Sequence, residues 1–516
     1  MPGKKNAILN KFRASNGIFH PSASVAMGPV LAITCASTVH AQWTVTNLHP
    51  LGSDSQAAAC GIGQQAGFTK LGTNYHAGLW NGASTSWVDI HPSGWTESFA
   101  FATDGVQTTG YVGGFGTSSA SVWSGSAETW VNLSPPGAGW SYAYGVGGGQ
   151  QVGQTYFNGI YRASLWQGTA ASWIDLNPAG SLQSRADAVN AGWQVGSANT
   201  SGGTHASLWS GSAASWIDLH PTLANESYAI AVFGNRQGGA AVINGVWRAC
   251  VWSGSAASWL DINPANSTYS VVLGMCDGFE AGLARFEGRN HAGVWSGSPY
   301  SWVDLHTLVP ARFSSSVAQG ISTEGPRVYV VGHATTPAGN TEAMLWTICR
   351  TPAITLHPIS QVVCPTGSTS LSTPAAAFSP TTYQWQWQFP GDPNWLPITN
   401  GVNSLATAPQ FEALGSTTFR VTIRPPVGPG GNRIWPNSGY RFRAVVSNTC
   451  GSVTSDEATL TVCAADFDCD GDITFFDYLD FVDAFSFQST TSDFNHDGGI
   501  DFFDYLDFAD AFSIGC

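Results

Sequence analysis

One feature constrains this chain more than any other: a 43-residue repeat. A Leu/Val-Trp pair ends at Trp80, Trp123, Trp166, Trp209, Trp252 and Trp295, each step being 43 residues. A second Trp follows seven residues later, at Trp87, Trp130, Trp173, Trp216, Trp259 and Trp302. An alanine precedes each Leu/Val-Trp, from Ala77 and Ala120 through Ala163, Ala206, Ala249 and Ala292 to Ala343. Strand-forming runs such as 109–113 and 150–153 alternate with Gly/Ser/Asn turns. A repeat of this size matches one four-stranded propeller blade, which cannot bury its apolar face alone and must stack on its neighbours.

The blade count follows from strand pairing. Leu/Val-Trp strands occur seven times, the last at Leu345-Trp346. Trp-to-Pro strands also occur seven times if Trp43 to Pro50 is included. Six of each form local hairpins, leaving Trp43–Pro50 and Leu345-Trp346 to pair with one another. That pairing removes both sheet edges and predicts a seven-bladed β-propeller over 42–349, closed by its N-terminal strand. The alternative is an open solenoid with an unpaired apolar strand at each end.

The segments His76-Ala-Gly-Leu-Trp80, His205-Ala-Ser-Leu-Trp209 and His291-Ala-Gly-Val-Trp295 resemble the bacterial extracellular repeats named HAF. Gly or Ser stands where that signature has Phe, and the resemblance implies no particular activity. Asp89, Asp175, Asp218, Asp261 and Asp304 share one register, and His91, His220 and His306 another. Residues repeated in every blade usually serve the blade: Asp caps a turn amide and His/Asn-Pro ends a strand. The competing reading is a ring of glycan or metal ligands, with exposed Trp residues stacking on sugars.

Only 10% of residues are charged, and 22 Trp and 60 Gly accompany that scarcity, as in an extracellular all-β chain. The net charge is −14, and 13 Asp without Glu, Lys or Arg lie in 464–516. The acidity is therefore local; it predicts cation binding there, and no basic patch for nucleic acid exists elsewhere. Lys4, Lys5, Lys11 and Arg13, the mildly apolar run 23–36 and Val39-His-Ala41 read as a signal peptide over 1–41. No later segment is long and apolar enough to span a membrane, so the mature chain is expected to be secreted or at the cell surface. Nine cysteines then remain; in an oxidising compartment most should pair and one should be left over.

After Cys349 the composition shifts. Three pieces of 353–463 resemble an immunoglobulin-like β-sandwich: a first strand over 354–361, a Trp-bearing strand over 383–387, and a last hairpin over 440–455 with Tyr440 at the tyrosine corner. Phe442 stands where antibody-type domains carry Cys. The resemblance implies that Cys364 and Cys450 clasp one end of the domain, which serves as a spacer or adhesion unit.

The tail, 464–516, carries two acidic loops offset by 27 residues. Calcium takes six to eight oxygen ligands, supplied at fixed positions of a twelve-residue loop. Asp466, Asp468 and Asp470 occupy positions 1, 3 and 5, and Asp493, Asn495 and Asp497 repeat them. Gly471 and Gly498 permit the turn. Asp472 and Gly499 offer a backbone carbonyl, Thr474 and Asp501 act through water, and Asp477 and Asp504 close the shell. Ile473 and Ile500 are expected to pack the loops together. Asp rather than Glu closes each loop, and each is followed by a single helix. That loop-helix order, given twice, resembles the type I dockerin and implies two Ca2+ ions and a cohesin partner docked on the helices. Phe475, Phe476, Tyr478, Leu479 and Phe485, with Phe502, Phe503, Tyr505, Leu506 and Phe512, form apolar stripes too large for so small a core. Phe replaces the usual Ser/Thr at loop positions 10 and 11. A Cys463–Cys516 bridge would tie the module's ends, with Cys469 as a competing partner; Cys60, Cys250, Cys276 and Cys349 have no assigned partner.

No nucleophile elbow, zinc-protease helix or phosphate loop is present. Glu97, Glu226, Glu280 and Glu287 break the repeat register and are the only glycosidase-type acids. Together these features predict a secreted, calcium-binding, non-enzymatic binding, scaffold or adhesion protein. The alternative is a carbohydrate-active component, binding or degrading polysaccharide within a dockerin-assembled complex.

Overall fold

The computed structural model describes residues 42–516, apart from 51, 53, 115, 377, 407, 428–434 and 496. The expected signal peptide lies outside the described residues. The chain is mainly β, with two α-helices at its C-terminal end.

Up to Cys349, the described strands form seven four-stranded sheets in a propeller-like array. Six use consecutive strands; the first combines Ser55–Gly61, Gln64–Leu71, Asn74–Trp80 and Val88–Asp89. The seventh combines Ser315–Glu324, Arg327–Thr335 and Thr341–Cys349 with the N-terminal strand Thr44–Asn47, where Val45 faces Trp346. The pairing expected between the two unpartnered strands is thus present.

Each repeated residue has a packing reason. Trp80, Trp123, Trp166, Trp209, Trp252, Trp295 and Trp346 are fully buried. So are Leu48, Ile90, Leu133, Leu176, Leu219, Ile262 and Leu305, one at the end of each Trp-to-Pro strand. The first strand of each sheet bulges, in most of them between small residues such as Ala57/Ala59 and Ala143/Gly145. There the strands of adjacent sheets approach closely: a Cβ on Gly145 would lie 2.8 Å from Ala188 Cα, and one on Gly320 would lie 2.9 Å from Ala59 Cα.

The invariant alanine has a backbone role. Ala77, Ala120, Ala163, Ala206, Ala249 and Ala292 donate their N–H to Ser98, Ser141, Ser184, Ser227, Ser270 and Ser316 of the following sheet, at 2.8–3.0 Å. Ala343 completes the series by donating to Ser55 of the first sheet at 2.9 Å. The second Trp row adapts to its neighbour. Trp130, Trp173 and Trp216 donate Nε1–H to Ser121, Ser164 and Ser207 at 2.9 Å. Trp87 and Trp302 instead fill the space over Gly78 and Gly293.

From Ala353 to Val462 a larger sheet and a second one enclose a separate core. One has the order Gln361–Val363, Ala458–Val462, Tyr440–Asn448, Thr382–Gln388 and Leu396–Pro397, with Gly451–Thr454 paired to the Tyr440 strand. The other is four-stranded. Trp385, Trp387, Phe411, Tyr440 and Phe442 lie between them. Tyr440 is buried, and its hydroxyl donates to Gln410 Oε1 at 2.8 Å. The single first strand expected over 354–361 is instead two short ones, Ala353–Ile354 and Gln361–Val363. Pro358 interrupts it, having no N–H for a ladder.

The cysteine pairing departs from expectation in part: the Cys463–Cys516 bridge is as expected, and the partner of Cys364 is not. The bridges are Cys349–Cys450, Cys364–Cys469 and Cys463–Cys516. The Cys364–Cys450 clasp is absent because the two lie at opposite ends of the larger sheet. Gln361–Val363 runs parallel to Leu460–Val462, and Tyr440 faces Leu460 while Asn448 leads to the hairpin tip. Cys364 therefore emerges beside the tail, whereas Cys450 sits where Asn448 Nδ2 donates to the Arg350 carbonyl at 2.8 Å, next to Cys349. Among the described residues three cysteines rather than one stay free: Cys60, Cys250 and Cys276. All are buried in the sheets, and burial pushes their thiols up, Cys60 to about 12, which leaves them unreactive.

The tail contains α1 (Phe475–Ser486) and α2 (Phe502–Ile514). Phe481 and Phe508 stack at 4.0 Å between ring centres, flanked edge-on by Phe467 at 5.4 Å and Phe494 at 5.5 Å. Tyr478 and Tyr505 join hydroxyls at 2.8 Å across the two copies. Ile473 and Ile500 are only half-buried, and Ile473 lies close to Gly515. The four phenylalanines carry the packing expected of the isoleucines.

Candidate metal centre

Each loop runs directly into a helix, and the last loop acid caps that helix. Asp477 is fully buried at the third residue of α1. Its Oδ1 accepts the N–H of Phe467 at 2.7 Å and of Asp468 at 3.1 Å, and its Oδ2 accepts that of Thr474 at 2.7 Å. Thr474 returns the favour at the cap, its hydroxyl accepting Phe476 N–H at 3.1 Å. Asp504 repeats the arrangement, accepting Phe494 at 2.7 Å, Asn495 at 3.1 Å and Asp501 at 2.8 Å. Asp501 caps α2 through Phe503 N–H at 2.8 Å. The position-12 carboxylates thus fold the loops back on the helix N-termini, where the helix dipole favours negative charge.

The turn chemistry gathers the remaining acids. Gly471 and Gly498 adopt φ of 96° and 88°, a left-handed conformation that favours glycine. Asp468 Oδ1 accepts Asp470 N–H at 3.0 Å, and Asp470 Oδ1 accepts Asp472 N–H at 2.9 Å. In the second loop Asn495 accepts from Asp497 at 3.0 Å, Asp497 from Gly499 at 2.8 Å and Asp493 from Gly498 at 3.1 Å. These bonds bring Asp466, Asp468 and Asp470 together, one carboxylate oxygen of each lying within 4.8 Å of the others. Asp472 and Gly499 are exposed at the loop rims.

The crowding is visible electrostatically. Burial raises Asp466 above the usual carboxylate range; Asp477 and Asp470 add to this and the Gly471 N–H opposes it. The Asp470 N–H would lower Asp468, but desolvation and the charges of Asp477, Asp470 and Asp466 outweigh it. Asp477 goes the other way: burial resists ionisation, yet the N–H groups of Thr474, Asp468 and Phe467 hold it below the usual value. An all-oxygen donor set with two acids disfavoured as neighbours fits a hard divalent cation, which would relieve the repulsion.

The apolar stripes divide by exposure. Phe475, Phe476, Phe502 and Phe503 are each more than 60% exposed, and Leu479 and Leu506 are also exposed. Tyr478, Tyr505, Phe485 and Phe512 turn inward. Phe467 and Phe494, missed as core residues, share the 27-residue offset that could have revealed them.

The other candidates serve local structure. Asp89, Asp175, Asp218, Asp261 and Asp304 accept the backbone N–H two residues on, at 2.8–2.9 Å. Glu226 accepts the Tyr228 hydroxyl at 2.6 Å. Glu280 is fully buried, accepts Gly297 N–H at 2.8 Å and pairs with Arg236 at 2.7 Å. Burial raises Glu97, whose hydrogen bond to Tyr111 opposes the shift. Glu287 occupies a left-handed turn with φ of 50°. No described helix is long and apolar enough to cross a membrane.

No family model and no curated protein matches the chain. Solved structures do. The β-propeller domain of the trilobed protease from Pyrococcus furiosus aligns over 58% of this chain and 94% of its own, at 9% identity and a TM-score of 0.40. TolB from Acinetobacter baumannii aligns over 56% of this chain and 81% of its own, at 9% identity and a TM-score of 0.31. A chimeric titin Z1Z2 aligns over 22% of this chain and 96% of its own, at 18% identity and a TM-score of 0.16.

Proposed function

We propose that this is a secreted or cell-surface, calcium-binding scaffold or adhesion protein. Residues 42–349 form a closed seven-bladed propeller that presents a binding surface. Residues 353–463 form an immunoglobulin-like spacer, and the dockerin-like tail attaches the whole to a cohesin-like or other surface partner. The observation that carries this reading is the pair of loops in which Asp477 and Asp504 lock the backbone, with Asp466, Asp468 and Asp470 converging in the first. Two Ca2+ ions would sit there, one against Asp466, Asp468, Asp470 and Asp477, the other against Asp493, Asn495, Asp497 and Asp504. Six exposed Phe and Leu side chains on the same helices supply an apolar docking face. Glycan binding by the propeller is the companion proposal.

The test is calorimetric titration of the calcium-stripped full chain with Ca2+, with Mg2+ in parallel. The expected result is a stoichiometry of about two and a marked preference for Ca2+. A chain that takes up no Ca2+ at millimolar concentration overturns the reading. A glycan array, with reducing-sugar release measured alongside, separates the scaffold from the carbohydrate-active alternative.

A further inference from the structure

The serine at each sheet junction is held from both sides. One side is the alanine N–H already described. The other is the residue that ends the preceding Trp-to-Pro strand. At four junctions that residue is a histidine: His91, His220 and His306 lie 2.8 Å through Nδ1 from Ser98, Ser227 and Ser316, and His49 lies 2.7 Å from Ser55. At two others it is asparagine, Asn177 accepting from Ser184 at 2.6 Å and Asn263 from Ser270 at 2.5 Å, and at the remaining one it is Ser134, which accepts from Ser141 at 2.9 Å.

Geometry fixes the tautomer of His91 and His220, and His306 repeats their Nδ1 contact. His91 Nε2 lies 3.0 Å from the Trp95 carbonyl, and His220 Nε2 lies 3.1 Å from the Ala224 carbonyl. A carbonyl only accepts, so Nε2 carries the proton and Nδ1 of the neutral ring is an acceptor. The bonds therefore run one way, from Ala77 N–H to Ser98 Oγ, and from Ser98 O–H to His91 Nδ1. A proton on Nδ1 would make the ring a donor, so the serine Oγ must accept from both sides and its buried O–H must turn away from the only acceptor it has in this relay. Asn Oδ1 performs the same acceptor role and cannot be protonated.

His91, His220 and His306 each also lie against a second histidine. His76 and His91 stack at 4.1 Å and His205 and His220 at 4.0 Å, while His291 and His306 lie tilted at 4.5 Å. A single carboxylate serves each pair: Asp89, Asp218 and Asp304 contact His76, His205 and His291 at 2.6–2.8 Å. Arg289 also acts on His306. In the asparagine sheets the outer position is a permanent cation, Arg162 on Asp175 or Arg248 on Asp261, each at 2.7 Å. Histidine accompanies histidine, and arginine accompanies asparagine. The Ser55 junction uses His49 with Asn47 and Glu342, and among the described residues no second histidine packs on that ring.

We propose that the three His-Asp-His junctions are acid-sensitive latches: protonating His91, His220 and His306 releases the Ser98, Ser227 and Ser316 staples and loosens the ring there, while the Asn177 and Asn263 junctions stay closed. The sign follows from burial, which together with the stacked neighbour holds all three below an ordinary histidine; Asp89, Asp218 and Asp304 oppose this. The unfolded chain takes up protons first, so this stability is complete above about pH 6.5 and is lost as the pH falls from there towards the lowered folded values.

The test is residue-resolved hydrogen exchange on the full chain between pH 7.5 and 5, corrected for intrinsic rates. Protection of the Ala77, Ala206 and Ala292 amides is expected to fall roughly tenfold per unit by which the histidine is depressed. Ala163 and Ala249 are internal controls and should not change. The triple variant His91→Asn, His220→Asn, His306→Asn should abolish the difference. Equal loss of protection at all five alanines, or acid sensitivity surviving in the triple variant, overturns the proposal. The wild-type comparison alone decides the matter if the variant does not fold.

Discussion

Replacing Leu48 by alanine tests whether the N-terminal strand is an integral part of the sheet array. Leu48 is fully buried among Ala57 and Trp80 of the first sheet and Ala343 and Leu345 of the last. Its N–H donates to the Ala343 carbonyl at 2.8 Å. Truncation removes roughly three carbons, about 2.4 kcal/mol at ~0.8 kcal/mol each, and the cavity left in a close-packed site adds about 1 kcal/mol. The expected loss is therefore about 3 kcal/mol. Leu176 is the matched control: it is equally buried, among Val152, Leu165 and Trp209, in sheets joined only by consecutive strands. Guanidinium denaturation followed by Trp fluorescence, with hydrogen exchange at the Leu48 and Leu345 amides, should give losses for Leu48→Ala and Leu176→Ala that agree within about 1 kcal/mol. If Leu48→Ala costs under 1 kcal/mol while Leu176→Ala costs about 3 kcal/mol, the N-terminal strand is only loosely attached and the closed ring is refuted.

Two further substitutions probe other parts. Asp477→Ala removes the acceptor of three backbone N–H groups at a buried cap. It should destabilise the tail by about 3 kcal/mol, seen as faster hydrogen exchange across α1, whereas Asp472→Ala on the exposed rim should change exchange by less than twofold in calcium-free buffer. Gly293→Ala should cost about 1–3 kcal/mol in denaturation midpoint, because its Cβ would lie 2.2 Å from the Trp302 ring. Unchanged stability there would mean that Trp302 has another place to go.

Much of this architecture was legible because the repeat is so regular. The period located the strands, and the unpaired Trp43 and Trp346 segments named their own partner. The loop acids were equally legible, since glycine at position 6 and a capping acid at position 12 are local requirements. What escaped is non-local. The cysteine partners depend on which end of the larger sheet Cys364 and Cys450 occupy, and residue spacing does not encode that. The invariant alanine was visible as a pattern, but its role is a backbone N–H aimed at the neighbouring sheet, to which the side chain gives no clue. Phe467 and Phe494 were hidden by their position inside acidic loops, although only an apolar residue there could seal a core between two short helices.

The three bridges also determine how the C-terminal half responds to force. Cys516 is joined to Cys463, and Cys450 to Cys349. A pull on the C-terminus of the oxidised chain therefore bypasses both the tail and most of the middle domain. Only the dozen or so residues between Cys450 and Cys463 can pay out, about 45 Å at full extension. Tension reaches the last strand of the sheet array through two disulfides and, of the middle domain, only the strands Gly451–Thr454 and Ala458–Val462. Under load, such an attachment behaves as a short tether that keeps its acidic loops and helices intact.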